Sequence, residues 1–160
     1  MPCIWGQHNG SQLFCPLSIL PASAPLAAPG GHYPGPHQIV SALIDTGATT
    51  TGITSRLAAQ LQMQPVGRVP IHGVGGVQHH NSHLFMVGFP FAFPPGVPLP
   101  AGVPPLPPGQ APVQIHILQR VIQGCEFDGA HANFEVILGM DVISTGSLVV
   151  QGNQTYGFSL

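Results

Sequence analysis

Ile39-Val40-Ser41-Ala42-Leu43-Ile44-Asp45-Thr46-Gly47-Ala48 carries an apolar run onto a single carboxylate and then into Thr, Gly and Ala. Asp45 is the first charged residue of the chain, after 44 residues without Asp, Glu, Lys or Arg. An apolar run of this length reads as a buried strand, and the glycine behind the acid reads as its turn. A lone acid at a strand end needs hydrogen-bond donors or a partner charge, which sets it at a rim or cleft.

Moving outward, Gln12–Leu20 reads as one or two strands and Pro21–Pro36 as a Pro/Gly/Ala-rich loop. Beyond the Asp45 turn the period changes. Ile53, Leu57 and Leu61 fall four apart on one face of a short helix that Thr54 or Ser55 can cap, and Pro65-Val66-Gly67 ends it. Arg68–Val87 has the pattern of a hairpin. Val69 and Ile71 lie on one arm, Gly73-Val74-Gly75-Gly76 forms the tip, and Leu84, Phe85 and Val87 lie on the return arm. Pro90–Pro112 is a Pro/Gly segment read as an exposed loop insertion. Val113–Val121 resumes strand alternation, and Cys125–His131 reads as a turn-rich connection. Phe134–Leu138 is an apolar strand interrupted by Glu135 that runs into Gly139-Met140-Asp141. Asp141-Val142-Ile143-Ser144 suits a short helix with Asp141 in its first turn. Leu148–Gln151 and Gln154–Leu160 make a closing hairpin about Gly152-Asn153. The total is one mainly β domain over 1–160 with one or two short helices.

Composition narrows the function classes. Three arginines, no lysine and five acids give a net charge of -2, which offers nucleic acid no basic face. Leu84–Gly109 is uncharged and mostly apolar, but its nine prolines forbid a continuous membrane helix. No basic segment precedes Pro16–Leu26 in the manner of a secretory leader, so the sequence reads as soluble and cytoplasmic, with no membrane partner. Cys3, Cys15 and Cys125 are odd in number, lack metal-ligand spacing and read as reduced thiols. Among nine histidines, His79, His80 and His83 cluster in sequence with no Cys or acid nearby. They read as a solvated polar face rather than a metal site, and no metal or cofactor is expected.

Three features stand in order: Ala-Leu-Ile-Asp-Thr-Gly-Ala after a strand, Gly73-Val74-Gly75-Gly76 at a hairpin tip, and Ile137-Leu138-Gly139 before a short helix. This arrangement resembles the retropepsins, the single-lobed aspartic proteases of retroviruses and their cellular and bacterial relatives. The resemblance implies a closed acid-protease barrel with one lobe per chain. It also implies hydrolysis of extended, apolar-flanked polypeptide substrates by two aspartates and a water. Only Asp45 matches; Asp128-Gly129 lacks the threonine and the leading strand. The enzyme so implied is a homodimer, with Asp45 of each subunit facing the other across a two-fold axis.

On that resemblance Thr46 locks the two active-site turns together, and Gly47 lets backbone approach the acids. Gly73, Val74, Gly75 and Gly76 form a flap over substrate, and Gly139, after Ile137 and Leu138, packs its bare Cα against the catalytic turn. Ala48 cannot donate the hydrogen bond that a serine would, which implies a weakly acidic pH optimum rather than a strongly acid one. Thr49 and Met140 occupy the places where the retroviral enzymes carry an acid and an arginine, so that brace is missing and the non-viral branch fits better. Two other functions fit parts of the sequence. One is a retropepsin-fold binding or dimerisation module with weak or no catalysis; the other is a histidine-metal protein.

Overall fold

The computed structural model describes residues 3–23, 38–73, 75–92, 113–130 and 132–160. Eleven strands and two short helices account for most of them. In chain order they are β1 (Cys3–Gln7), β2 (Leu13–Pro21), β3 (Gln38–Ile44), β4 (Gly52–Thr54), α1 (Ser55–Gln60), β5 (Gly67–Gly73) and β6 (Gly76–Ala92). Then follow β7 (Val113–Ile117), β8 (Ile122–Phe127), β9 (Val136–Leu138), α2 (Met140–Ile143), β10 (Ser147–Val150) and β11 (Thr155–Ser159).

The larger sheet runs β2-β3-β9-β4-β8-β6-β5, with β7 on β6. A further pairing of β2 with β6, from Ser18↔Gly88 to Pro21↔Phe85, joins the first strand of this path to the last but one and closes a barrel, with β5 continuing from β6 outside the ring. Closure is possible because β6 is 17 residues long and changes partner along its length: β5, then β8, then β2, then β7. The interior is apolar and tightly filled, with Leu17, Ile19, Ile53, Phe85, Val87, Phe89 and Leu138 all buried. A separate sheet, β1-β11-β10, turns Phe158 inward onto Phe89 with ring centroids 5.4 Å apart, so the two sheets share one core. Tyr156 on β11 adds a polar tie, its hydroxyl donating to the Phe14 carbonyl at 2.5 Å.

The mainly β class, the barrel and the two short helices match the sequence reading. Thr54 is the N-cap of α1, accepting from the Leu57 N–H at 3.2 Å, and Ile53, Leu57 and Leu61 are buried as the spacing requires. Three expectations need correction. Cys125–His131 is not a turn-rich connection from its start: Ile122–Phe127 is strand β8, a stave that pairs parallel with β4 and antiparallel with β6. The Pro-rich segment is strand through Ala92, where Pro90 pairs with Ile115, and residues 93–112 lie outside the described residues, as do 24–37. His83 is not on a solvated face; it is 1% exposed. Sequence reading also passed over β1 and β4. Both are too short to carry a period, and their partners lie far along the chain.

Candidate active site

Asp45 follows the last residue of β3. Its place is fixed through β9, whose parallel register sets Ile44 against Leu138, and its N–H continues that ladder to the Leu138 carbonyl at 3.0 Å. The chain then reverses. The Ala48 N–H donates to the Asp45 carbonyl at 3.2 Å, and the Gly47 N–H donates to Asp45 Oδ1 at 2.8 Å, giving the carboxylate a fixed donor. A Cβ on Gly47 would stand 3.2 Å from that oxygen. Thr46 is exposed.

Behind this turn stands the Leu138-Gly139 corner. A Cβ on Gly139 would lie 2.6 Å from the Thr50 carbonyl carbon, 2.8 Å from its oxygen and 2.9 Å from the Thr51 nitrogen. No side chain fits there, because the opposing atoms are backbone. Two main-chain bonds run across the junction: Met140 N–H to the Ala48 carbonyl at 2.8 Å and Asp141 N–H to the Thr49 carbonyl at 3.3 Å.

Side chains add a second tie that the sequence did not disclose. Asp141 Oδ1 accepts from both the Thr51 N–H (3.0 Å) and the Thr51 hydroxyl (2.7 Å), while Thr51 Oγ1 accepts from the Gly139 N–H (3.1 Å). Thr51 is fully buried. Asp141 does stand in the first turn of α2, as expected, but its carboxylate is spent on the far side of the active-site turn. The brace is thus an acid on the helix side and a hydroxyl on the turn side. Its signal was Thr51 lying three residues beyond Ala48 and Asp141 two beyond Gly139, a pairing that only the fold brings together.

In front of Asp45 is an open cleft of about 760 Å³. The Asp45 turn forms one wall, β8 another, and the β5–β6 hairpin the third, through Val69, Ile71, His72 and His80. The hairpin tip is where the sequence expects it: Gly73 pairs with Gly76, and Gly76 holds φ +97, which favours glycine. Among the described lining residues the arms of the hairpin appear and Gly75 and Gly76 do not. Val74 lies outside the described residues. Ile137 lines the cleft while Leu138 is buried behind it.

Two cleft residues escaped the sequence reading. Cys125 lines the wall, and burial raises its thiol above the ordinary range. Cys15, in the core, is pushed up to about 12 by burial, which leaves it inert. Glu126 also lines the cleft and accepts from His83 Nε2 at 2.8 Å. Burial raises its carboxyl, but hydrogen bonds from His83, Ser55 and Asn81 outweigh that and hold it below the usual carboxylate range. Asp128 is turned to its own loop, accepting from the Ala130 N–H at 3.0 Å. Among the described residues no three His, Cys, Asp or Glu side chains come together as a metal site, and no helix is long and apolar enough to cross a membrane.

No protein-family model matches this chain, and no curated protein matches it in sequence. Among solved structures it is similar to a retropepsin-like aspartic protease from Rickettsia conorii, at 9% identity and a TM-score of 0.46, over 98% of this chain and 90% of that one. Similarity this distant says nothing of catalysis, and the fold class stands on strand order and barrel closure.

Proposed function

We propose that the chain is an aspartic endopeptidase that works as a homodimer, each copy supplying one Asp45. The observation that carries this reading is the setting of Asp45. It is a carboxylate at the end of a barrel strand, with a backbone N–H on one oxygen, facing a cleft roofed by a hairpin. Two such carboxyls brought together cannot both ionise, so they share one proton. The ionised member takes a proton from water as that water attacks the scissile carbonyl; the protonated member gives its proton to the carbonyl oxygen. A peptide laid along the cleft as an extended strand meets the hairpin arms from above and Val69, Ile71 and Ile137 as apolar walls.

The dimer is supported by the small sheet. Among the described residues its edge strands β1 and β10 have unpaired outer sides, and Trp5 and Val149, both in register with Gly157, form an exposed apolar row on one face. Trp5 is 67% exposed. The deciding experiment compares the purified chain with Asp45→Asn on an apolar peptide library, with and without a pepstatin-type inhibitor. Cleavage that the inhibitor blocks, and that falls by roughly 10⁴ in the variant while self-association persists, is the expected result. Cleavage unchanged in Asp45→Asn would overturn the assignment, and binding without cleavage by the native chain would make this a peptide-binding module.

A further inference from the structure

The cleft carries a second carboxylate that the hydrolytic scheme does not use. Glu126 keeps 22% of its side-chain surface exposed, and it is held from behind by His83, which is 1% exposed. His83 Nε2 lies 2.8 Å from Glu126 Oε2, and Asn81 Nδ2 lies 3.4 Å from the same oxygen. His83 Nδ1 is buried with no hydrogen-bond partner. Nε2 is thus the ring nitrogen through which His83 meets Glu126, and that contact orients the carboxylate without covering it.

Nor does an arginine cover it. Arg56 pairs with Glu135, the Arg68 guanidinium donates to the His79 carbonyl, and the Arg120 guanidinium donates to the Asp141 carbonyl. None of the three lines the cleft. Glu126 is therefore a fixed carboxylate with no arginine on it, in a cleft whose lining also includes the apolar Val69, Ile71, Ile137 and Phe127 and the imidazoles of His72 and His80. An anion so held is a site for a charge-assisted hydrogen bond from a cation.

We infer that Glu126 is a specificity-determining residue, which with His83 behind it forms a subsite for the lysine or arginine side chain of a bound peptide. The inference rests on reading the cleft as a peptide site and adds one cationic position to its apolar preference. The test walks a single lysine, or its uncharged isostere norleucine, along an extended apolar host peptide. Affinity is measured on the Asp45→Asn chain at neutral pH. Cleavage is measured on the native chain. At one position lysine is expected to bind and cleave about tenfold better than norleucine, and glutamate worse than either. Glu126→Gln, which keeps the acceptor for His83, is expected to bring the lysine-to-norleucine ratio near one. The comparison of lysine, norleucine and glutamate peptides needs no substitution at Glu126, so a poorly folding variant does not rescue the idea. Equal affinity for lysine and norleucine at every position, or no binding of either, overturns the subsite. A lysine preference in binding with no cleavage by the native chain retains the subsite and sinks the protease.

Discussion

Replacing Thr51 with valine keeps the shape of a fully buried side chain and removes one oxygen. That oxygen serves two bonds: it donates to Asp141 at 2.7 Å and accepts from the Gly139 N–H at 3.1 Å. Losing a hydroxyl bond to a carboxylate costs about 1.5–3 kcal/mol, and leaving a buried N–H without an acceptor costs about 1–3 kcal/mol more. The Thr51 N–H still reaches Asp141 at 3.0 Å, which recovers part of the first loss. The expected destabilisation is about 3 kcal/mol, read as a fall in the urea midpoint with unchanged slope. For a chain of this size it corresponds to a drop in Tm of about 10 °C. Asp141→Asn weakens the same strut from the other end, so the two substitutions share one interaction. A double-mutant cycle should show a coupling of about 1–2 kcal/mol. A Thr51→Val chain within about 0.5 kcal/mol of native, or strict additivity with Asp141→Asn, would refute the brace.

Gly139→Ala drives a methyl into Thr50 backbone that cannot rotate away, so a loss of about 2 kcal/mol or more in urea unfolding is expected, with kcat falling as the turn shifts; a neutral variant would mean the corner is slack. Trp5→Ser strips the exposed row of the small sheet, and sedimentation should show weaker self-association with the monomer fold intact by circular dichroism. Activity recovered at high protein concentration would tie that loss to the dimer, and unchanged self-association would place the interface elsewhere. Glu126 has its folded carboxyl below the ordinary 4.5, so its stabilising contribution is present above that value and is lost as pH falls through the folded one. Native and Glu126→Gln chains should therefore converge in stability below about pH 4.5, and parallel pH curves would contradict the orientation by His83.

The parts that could be read from the sequence are those whose physics is local. An apolar run stopping on Asp45, a capped helix with Ile53, Leu57 and Leu61 on one side, and a glycine tip between two arms each state their structure within a few residues. What could not be read depends on distant partners. Cys3–Gln7 becomes a strand because Thr155–Ser159 lies beside it, and Gly52–Thr54 because β8 and β9 flank it. Cys125–His131 looked like a connection since glycines at 124 and 129 bracket its start; the pairing of Cys125–Phe127, within β8, to β4 and β6 overrides that local composition. His83 looked solvated because its acid, Glu126, is 43 residues away in sequence and 2.8 Å away in space. Asp141 looked complete as a helix acid, and its bond to Thr51 spans 90 residues.

The use of charge in so neutral a chain bears on where function lies. Of its five acids, Glu135 joins Arg56 and the Thr54 hydroxyl at the start of α1, Asp141 ties α2 to Thr51, and Asp128 closes its own turn. Each of these three holds chain to chain. Asp45 and Glu126 differ: both line the cleft, and neither meets an arginine. A protein that carries eight charged side chains in 160 residues has few anions, and these two are the ones set in the cleft. His83 and Asn81 of β6 hold Glu126 of β8, and an apolar residue in its place would leave the buried His83 without its Nε2 partner. Two anions in one cleft, neither met by an arginine, are the pattern of a site built for something that enters it, which accords with the peptide chemistry proposed for Asp45 and the cationic preference inferred for Glu126.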